Sequence, residues 1–400
     1  MKRVVLRCTV LAGALLASIA AAGDPGGGQG GRAPRYRITN LSSLGGTNSR
    51  GNSINDAGVI AGYSNLAGNQ SRHATIWLES SPFDLGTLGG ANSSVAWPVK
   101  NGMGLITGIS QTGVADPLGE SWSCAAFFPA ATGTGPTCLG FAWRNNEMKP
   151  LPTLGGNNGF ATGSNDWGQI VGWAENTVHD STCVPPQVLQ FRAVVWEHFG
   201  DSVRELPIPS GDTSSAATAI NDRGQVVGIS GKCDQAVGRF SAIHALLWEK
   251  GRATDLGNLG HLSWNTPMAI NREGDIAGFA PIEDSDPDNP QLHAFLWTRG
   301  GGMQDLGTLE GDLFSEALGI NVRHQVVGIS CQNADGSGVC RAFLWENGGM
   351  IDLNSLVEPG YTDLLTQAQD INDFGVITGR ALTSAGTRPA FRAEPVHGAH

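Results

Sequence analysis

The chain has 400 residues, a formal net charge of −11, 57 glycines and only 15% charged residues. A surface this acidic repels phosphate backbones and sets nucleic acid aside as a partner. So much glycine with so little charge argues against a mainly helical chain and for many short strands joined by tight turns.

Met1-Lys2-Arg3 opens an apolar run from Val4 to Ala20, broken by Arg7, Cys8 and Thr9. The run is too short and too interrupted to span a bilayer. It ends in Ser18-Ile19-Ala20-Ala21-Ala22, small residues of the kind a signal peptidase reads. Residues 1–22 are therefore expected to be a cleaved signal peptide, and the mature protein to be secreted or periplasmic. Residues 23–34 are rich in glycine and read as a flexible linker, so the folded domain is expected over 35–396. No second apolar stretch is long enough to cross a membrane, and no membrane span is expected.

Tyr36-Arg37-Ile38-Thr39-Asn40-Leu41 follows, leading into Ser43-Leu44-Gly45-Gly46, a turn phrase that returns as Asp84-Leu85-Gly86-Thr87-Leu88 and Asp305-Leu306-Gly307-Thr308-Leu309. Ile54-Asn55-Asp56-Ala57-Gly58-Val59-Ile60-Ala61-Gly62 then introduces a motif whose asparagine recurs at 101, 165, 221, 271, 321 and 372. All seven copies keep a glycine seven residues after the asparagine, and six keep one three residues after it, His324 being the exception. Asn-Asp-x-Gly between β-rich segments is hairpin chemistry, because these residues tolerate the positive φ of a tight turn. Each motif leads to a segment ending in tryptophan, as in His293-Ala294-Phe295-Leu296-Trp297, and then to an Asp-Leu-Gly segment. Four strands per unit, here a to d, repeated seven times at 46 to 64 residues, predict an all-β, seven-bladed β-propeller. The last unit stops at a c strand, Ala390-Phe391-Arg392, and the chain begins with a d strand. Their pairing would close the ring and hide two sheet edges.

Length variation is confined to one connection. From each repeat tryptophan to the next asparagine the interval is 22 to 27 residues, whereas from the repeat glycine to its tryptophan it is 15 to 35. The insertions therefore sit between strands b and c, on the same face as the d-to-a connections, and variable loops on a rigid frame are where binding residues collect. Beyond Cys8, every cysteine (Cys124, Cys138, Cys183, Cys233, Cys331, Cys340) falls in a b-to-c connection. An even count on an exported chain predicts disulfides. Cys124 with Cys138 and Cys331 with Cys340 would staple their own loops and Cys183 with Cys233 would tie neighbouring blades, though other pairings among the roughly fifteen possible stay open. With no C-x-x-C pair and no histidine at ligand spacing, no metal site is expected.

Polar residues at repeat-equivalent positions read as structure. His73, His244 and His293 share a slot with Leu139, Arg192, Arg341 and Pro389, a mixture no metal site or proton relay would survive. Asp284, Asp286 and Asp288 alternate as in calcium loops but lack the glycine and closing glutamate of an EF-hand, so they read as a solvated acidic loop. No G-x-S-x-G occurs, the Ser-x-Asp-x-Gly-x-x-Trp box of sialidase-like propellers is missing, and neither catalytic residues nor a cofactor is expected. Tryptophan is the suggestive signal: six of eleven occupy the c-strand slot and belong to the core, while Trp97, Trp122, Trp173 and Trp264 lie near the decorated rim. These four are the candidate ligand-binding residues, since rim aromatics stack on sugars or grip peptides. Packing beneath long loops is the competing reading.

The linked phrases His293-Ala294-Phe295-Leu296-Trp297, Asp305-Leu306-Gly307-Thr308-Leu309 and Ile-Asn-x-x-Gly-x-x-x-Gly resemble those of the HAF-type extracellular repeat proteins of bacteria, over about residues 36–393. The resemblance implies an exported repeat protein and lends no settled activity. The expected function is a non-enzymatic binding or scaffold protein recognising an extracellular carbohydrate or protein through its loop-rich face. The alternative is a polysaccharide-cleaving hydrolase or lyase, which needs two convergent carboxylates or a charged trio near the axis or the decorated rim.

Overall fold

The computed structural model describes residues 35–396 apart from 121–123, 125, 130–134, 234–241, 262 and 284–290. The expected signal and linker, Trp122, and the triplet Asp284, Asp286 and Asp288 lie outside the described residues. Those described form seven four-stranded antiparallel sheets arranged as a seven-bladed β-propeller. Blades 1 to 6 span 45–84, 89–150, 159–205, 214–255, 266–305 and 314–352. Blade 7 takes three strands from 364–396 and its strand d from Arg35–Asn40. Arg35 faces Val396 and Asn40 faces Phe391, so the ring closes through the terminal pairing that the repeat phase requires.

Available volume decides which residue types sit where. Blades diverge from the axis, so inner strands have little room: strand a of blade 4, Ser214–Ile220, reads SSAATAI and is buried throughout. Strand c, further out, supplies the large side chains Trp77, Trp143, Trp196, Trp248, Trp297 and Trp345, all buried. The indole N–H groups of Trp77, Trp196 and Trp248 donate to the carbonyls of Ser42, Pro152 and Pro207, each in the connection entering the same blade. Each donor thereby regains the partner that burial removed.

The repeat motif has a backbone cause. Just before the asparagine, strand a bulges, as between Ala217 and Ala219 in blade 4. The bulge presses a strand-a carbonyl onto the glycine opposite, so that a β-carbon on Gly228 would collide with the Ala216 oxygen. Each asparagine side chain then serves twice. Asn221 Oδ1 accepts from the amides of Arg223 and Gln225 within its own turn, while its Nδ2 donates to the Asn271 carbonyl of the next blade at 3.0 Å. The same inter-blade bond, at 2.9 to 3.1 Å, starts from Asn55, Asn165, Asn271, Asn321 and Asn372; Asn101 turns instead to Ser164 Oγ at 2.8 Å. The result is a hydrogen-bonded girdle around one end of the axis.

Among the described residues three disulfides form, Cys124–Cys138, Cys183–Cys233 and Cys331–Cys340, the pairing considered above. Such bonds belong to an oxidising compartment. No helix of the described residues is long and apolar enough to cross a membrane.

Candidate functional site

The two ends of the axis differ in whether their polar groups are already used. At the asparagine end a depression is lined by Asp56, Lys100, Asp166, Asp222 and Arg272. Asp222 Oδ1 accepts from the Asp166 amide at 2.9 Å and Asp56 Oδ1 from the Asp373 amide at 2.9 Å. Lys100 Nζ lies 2.8 Å from Asp370 Oδ1 and donates to the Ile371 carbonyl at 2.6 Å. Burial pushes the Asp370 pKa up while Lys100 pulls against it. At this end Lys100 and the carboxylates of Asp56, Asp222 and Asp370 are held by internal bonds, and Arg272 is exposed.

The other end has donors to spare. One level of the channel is defined by seven a–b register pairs: Arg50 with Tyr63, Ser94 with Ile109, Phe160 with Trp173, Ala216 with Ile229, Thr266 with Phe279, Glu316 with Ile329, and Gln367 with Arg380. The second member, directly after the repeat glycine, is hydrophobic in five blades. Tyr63 and Arg380 break the rule, on adjoining blades.

Arg50, Arg72 and Arg380 converge on the Tyr63 ring. The guanidinium carbon of Arg72 stands 4.1 Å from the ring centroid and that of Arg50 5.4 Å, and the charge of Arg380 acts on the phenol together with theirs. Arg50 reaches on to Gln367 Oε1 at 3.4 Å. The Nε of all three arginines is buried without a hydrogen-bond partner, and none of the three joins the ion pairs formed among the described residues. Like charges gathered this way disfavour the folded state, and an anion placed among them would relieve it. Burial raises the Tyr63 pKa, but Arg50, Arg72 and Arg380 outweigh it and hold the phenol below its ordinary range. Glu316 is pushed up to about 7 by burial, with Arg50 opposing, so this carboxyl is only partly charged near neutrality and does not cancel the guanidiniums.

Aromatic side chains continue the wall. Strand a of blade 2 stops at Ser94, and the chain from 95 to 100 turns into the channel, carrying Trp97 on one side and Lys100 toward the asparagine end. Trp97 meets Phe127, Phe160 and Trp173 edge-on at 5.6, 5.2 and 6.1 Å, and also packs against the cluster of Met268, Phe279 and Leu318, so it crosses the axis. Its indole N–H is buried without a partner. Arg72 Nη1 donates to the Phe127 carbonyl at 2.8 Å, which joins the arginines to the aromatics. Of the tryptophans singled out from the sequence, Trp97 and Trp173 thus share one cluster, and Trp264, with φ 53°, packs on Phe279 at 5.9 Å beside it. Sequence reasoning missed Arg50, Tyr63, Arg72, Arg380 and Glu316. The available signal was the departure of Tyr63 and Arg380 from the hydrophobic residue that the other repeats place after the glycine.

Other polar clusters are structural. His73 Nδ1 meets Asp84 at 2.9 Å, His293 Nδ1 meets Asp305 at 2.9 Å and Arg192 Nε meets Glu205 at 3.1 Å, so the c-strand slot pairs a basic residue with a strand-d acid. Asp180 approaches Cys183 and Cys233, but those cysteines bond each other and offer no thiolate to a metal. Glu175 is pushed up to about 7 by burial and by Glu120, though amides of Asn157 and Asn158 and the Gln187 side chain oppose this. Those donors fix the loops of blades 2 and 3.

No protein-family model matches the chain, and no curated protein does. Among solved structures it is similar to an ulvan lyase, described as a new family of polysaccharide lyase, at 10% identity and TM-score 0.42 over 89% of this chain and 94% of that one. A gluconolactonase from Xanthomonas campestris matches at 16% identity and TM-score 0.30 over 51% and 69% of the two chains. Trypanosoma rangeli sialidase matches at 8% identity and TM-score 0.37 over 90% of this chain and 55% of that one. At these identities the likeness is one of fold.

Proposed function

We propose that this chain is an exported protein that takes an acidic polysaccharide into the loop-end mouth of its channel and cleaves it there. The observation that carries the reading is the trio Arg50, Arg72 and Arg380, gathered on one tyrosine without a carboxylate partner. A charged trio is one of the two arrangements, beside a pair of convergent carboxylates, that the polysaccharide-cleaving alternative calls for. Guanidinium forks match a carboxylate or sulfate, and Trp97, whose indole N–H has no partner, is joined to them through Phe127. Recognition alone would need only these groups; an ionisable phenol among them adds chemistry. The resemblance to HAF-type repeat proteins and the signal peptide over residues 1–22 belong to the same proposal, and the disulfides support an exported chain.

The test uses polygalacturonate and dextran sulfate as acidic probes and dextran as a neutral one, with binding read by calorimetry. Both acidic probes should bind and dextran should not, and Arg50→Gln or Arg72→Gln should each weaken binding at least about tenfold, the value of one charge-assisted contact. Affinity should rise as pH falls from about 8 to about 6, because protonation of Glu316 leaves the mouth more positive; Glu316→Gln should flatten that slope. Equal binding of dextran, or affinity untouched by both arginine substitutions, ends the reading.

A further inference from the structure

Resting on that reading, we propose that Tyr63 is the general base of a β-elimination that breaks the 4-O-glycosidic bond of a uronate residue held by Arg50, Arg72 and Arg380. In a 4-linked uronate the C5 hydrogen lies α to the carboxylate. It becomes acidic only when the charge growing on the carboxylate oxygens is neutralised, and fixed guanidiniums do this best in a site where water is scarce. The same three side chains favour the phenolate of Tyr63, so one cluster supplies both the base and the electrostatic stabilisation. Arg50 and Arg72 are themselves partly exposed, so a carboxylate can reach them from the mouth.

The step balances without a co-reactant. Tyr63 Oη takes the C5 proton, the C5–H electron pair becomes the C4=C5 double bond, the C4–O4 bond breaks, and the proton passes from Tyr63 to the departing O4. Nothing is oxidised or reduced and no water is consumed. Hydrolysis by the common route calls for two carboxyl groups about 5 to 9.5 Å apart. Among the described residues, the seven register pairs at this level contain one carboxyl group, Glu316.

Two measurements decide the matter. The chain has three tyrosines, and burial holds Tyr36 and Tyr361 well above the tyrosine range, with Glu346 and Asp363 adding to it. Tyrosinate absorbance below about pH 10 therefore reports Tyr63 alone. One equivalent is expected there, absent in Tyr63→Phe and displaced upward in Arg50→Gln; no ionisation below that pH overturns the assignment of the base. The full chain is then given polygalacturonate, alginate and hyaluronan, with binding read by calorimetry and elimination by the ultraviolet absorbance of the conjugated double bond. Binding to at least one should be accompanied by rising absorbance. Tyr63→Phe should bind within about threefold of the parent and react at least about a hundredfold more slowly, the scale of general-base catalysis. Reducing ends released without absorbance, or an unchanged rate in Tyr63→Phe, overturns the elimination and leaves the proposed cleavage standing, whereas binding without cleavage overturns the elimination and reduces the site to recognition. Failure to bind any of the three overturns both.

Discussion

His324 occupies a turn position where the other six repeats have glycine, and its φ is 58°. A β-carbon in that region costs about 1 kcal/mol or slightly more. Its ion pair with Asp275, at 2.9 Å, has the histidine more than half exposed and returns little of that. His324→Gly is therefore expected to stabilise the protein by about 0.5 to 1 kcal/mol, read as a higher urea midpoint with an unchanged slope. A lower midpoint would mean that the ion pair outweighs the backbone strain. The same comparison across repeats works in the other direction at Tyr63 and Arg380. In a symmetric ring, a residue that departs from the hydrophobic type its five regular counterparts share is a candidate for a role beyond the frame. Position alone did not show the departure's importance, because Arg50 and Arg72 stand 13 and 9 residues from Tyr63 in sequence and meet it only through strand pairing.

Among elements, the b-to-c connections separate frame from function. They hold the disulfides, Trp173 lies on the strand leading into one, and Phe127, which joins the arginines to the aromatics, lies inside another. The three bonds should not be equal. Cys331–Cys340 closes a separation of 9 residues and Cys183–Cys233 one of 50, so loop-closure entropy assigns about 2.5 and about 4 kcal/mol respectively. Replacing Cys183 and Cys233 together by serine should lower stability more than replacing Cys331 and Cys340, as read by urea melts of the two double variants. The reverse order would show that the inter-blade bond adds little to contacts the blades already make. The strand-c tryptophans and their glycine partners were legible from spacing because they answer to local backbone constraints. The aromatic cluster was legible only in part: Trp97 and Trp173 could be named, but not that 95–100 leaves the strand and enters the channel.

For the whole molecule, closure is the feature on which the site depends, because Tyr63 sits in blade 1 and Arg380 in blade 7, on either side of the seam. The strand Arg35–Asn40 seals that seam, with Tyr36 fully buried and Leu41 nearly so. Each such side chain is worth about 1.5 to 3 kcal/mol, and its loss also bares the edge of Ala390–Val396. A chain starting at residue 42 should melt well below the full chain and run as aggregates or dimers in size exclusion. An equally stable monomer would show that blade 7 holds with three strands and that closure is not what places Arg380 on Tyr63.

What the sequence determined by itself was the frame: seven four-stranded units, the phase of ring closure, the face carrying the loops, and a cysteine pairing consistent with them. These follow from local rules, turn chemistry and spacing, which repetition restates seven times. Tertiary structure alone decided the site. Three arginines, a tyrosine and a glutamate from blades 1, 6 and 7 come together across gaps of up to about three hundred residues because the ring closes. Coulombic and desolvation effects depend on those distances through space, which no spacing along the chain records.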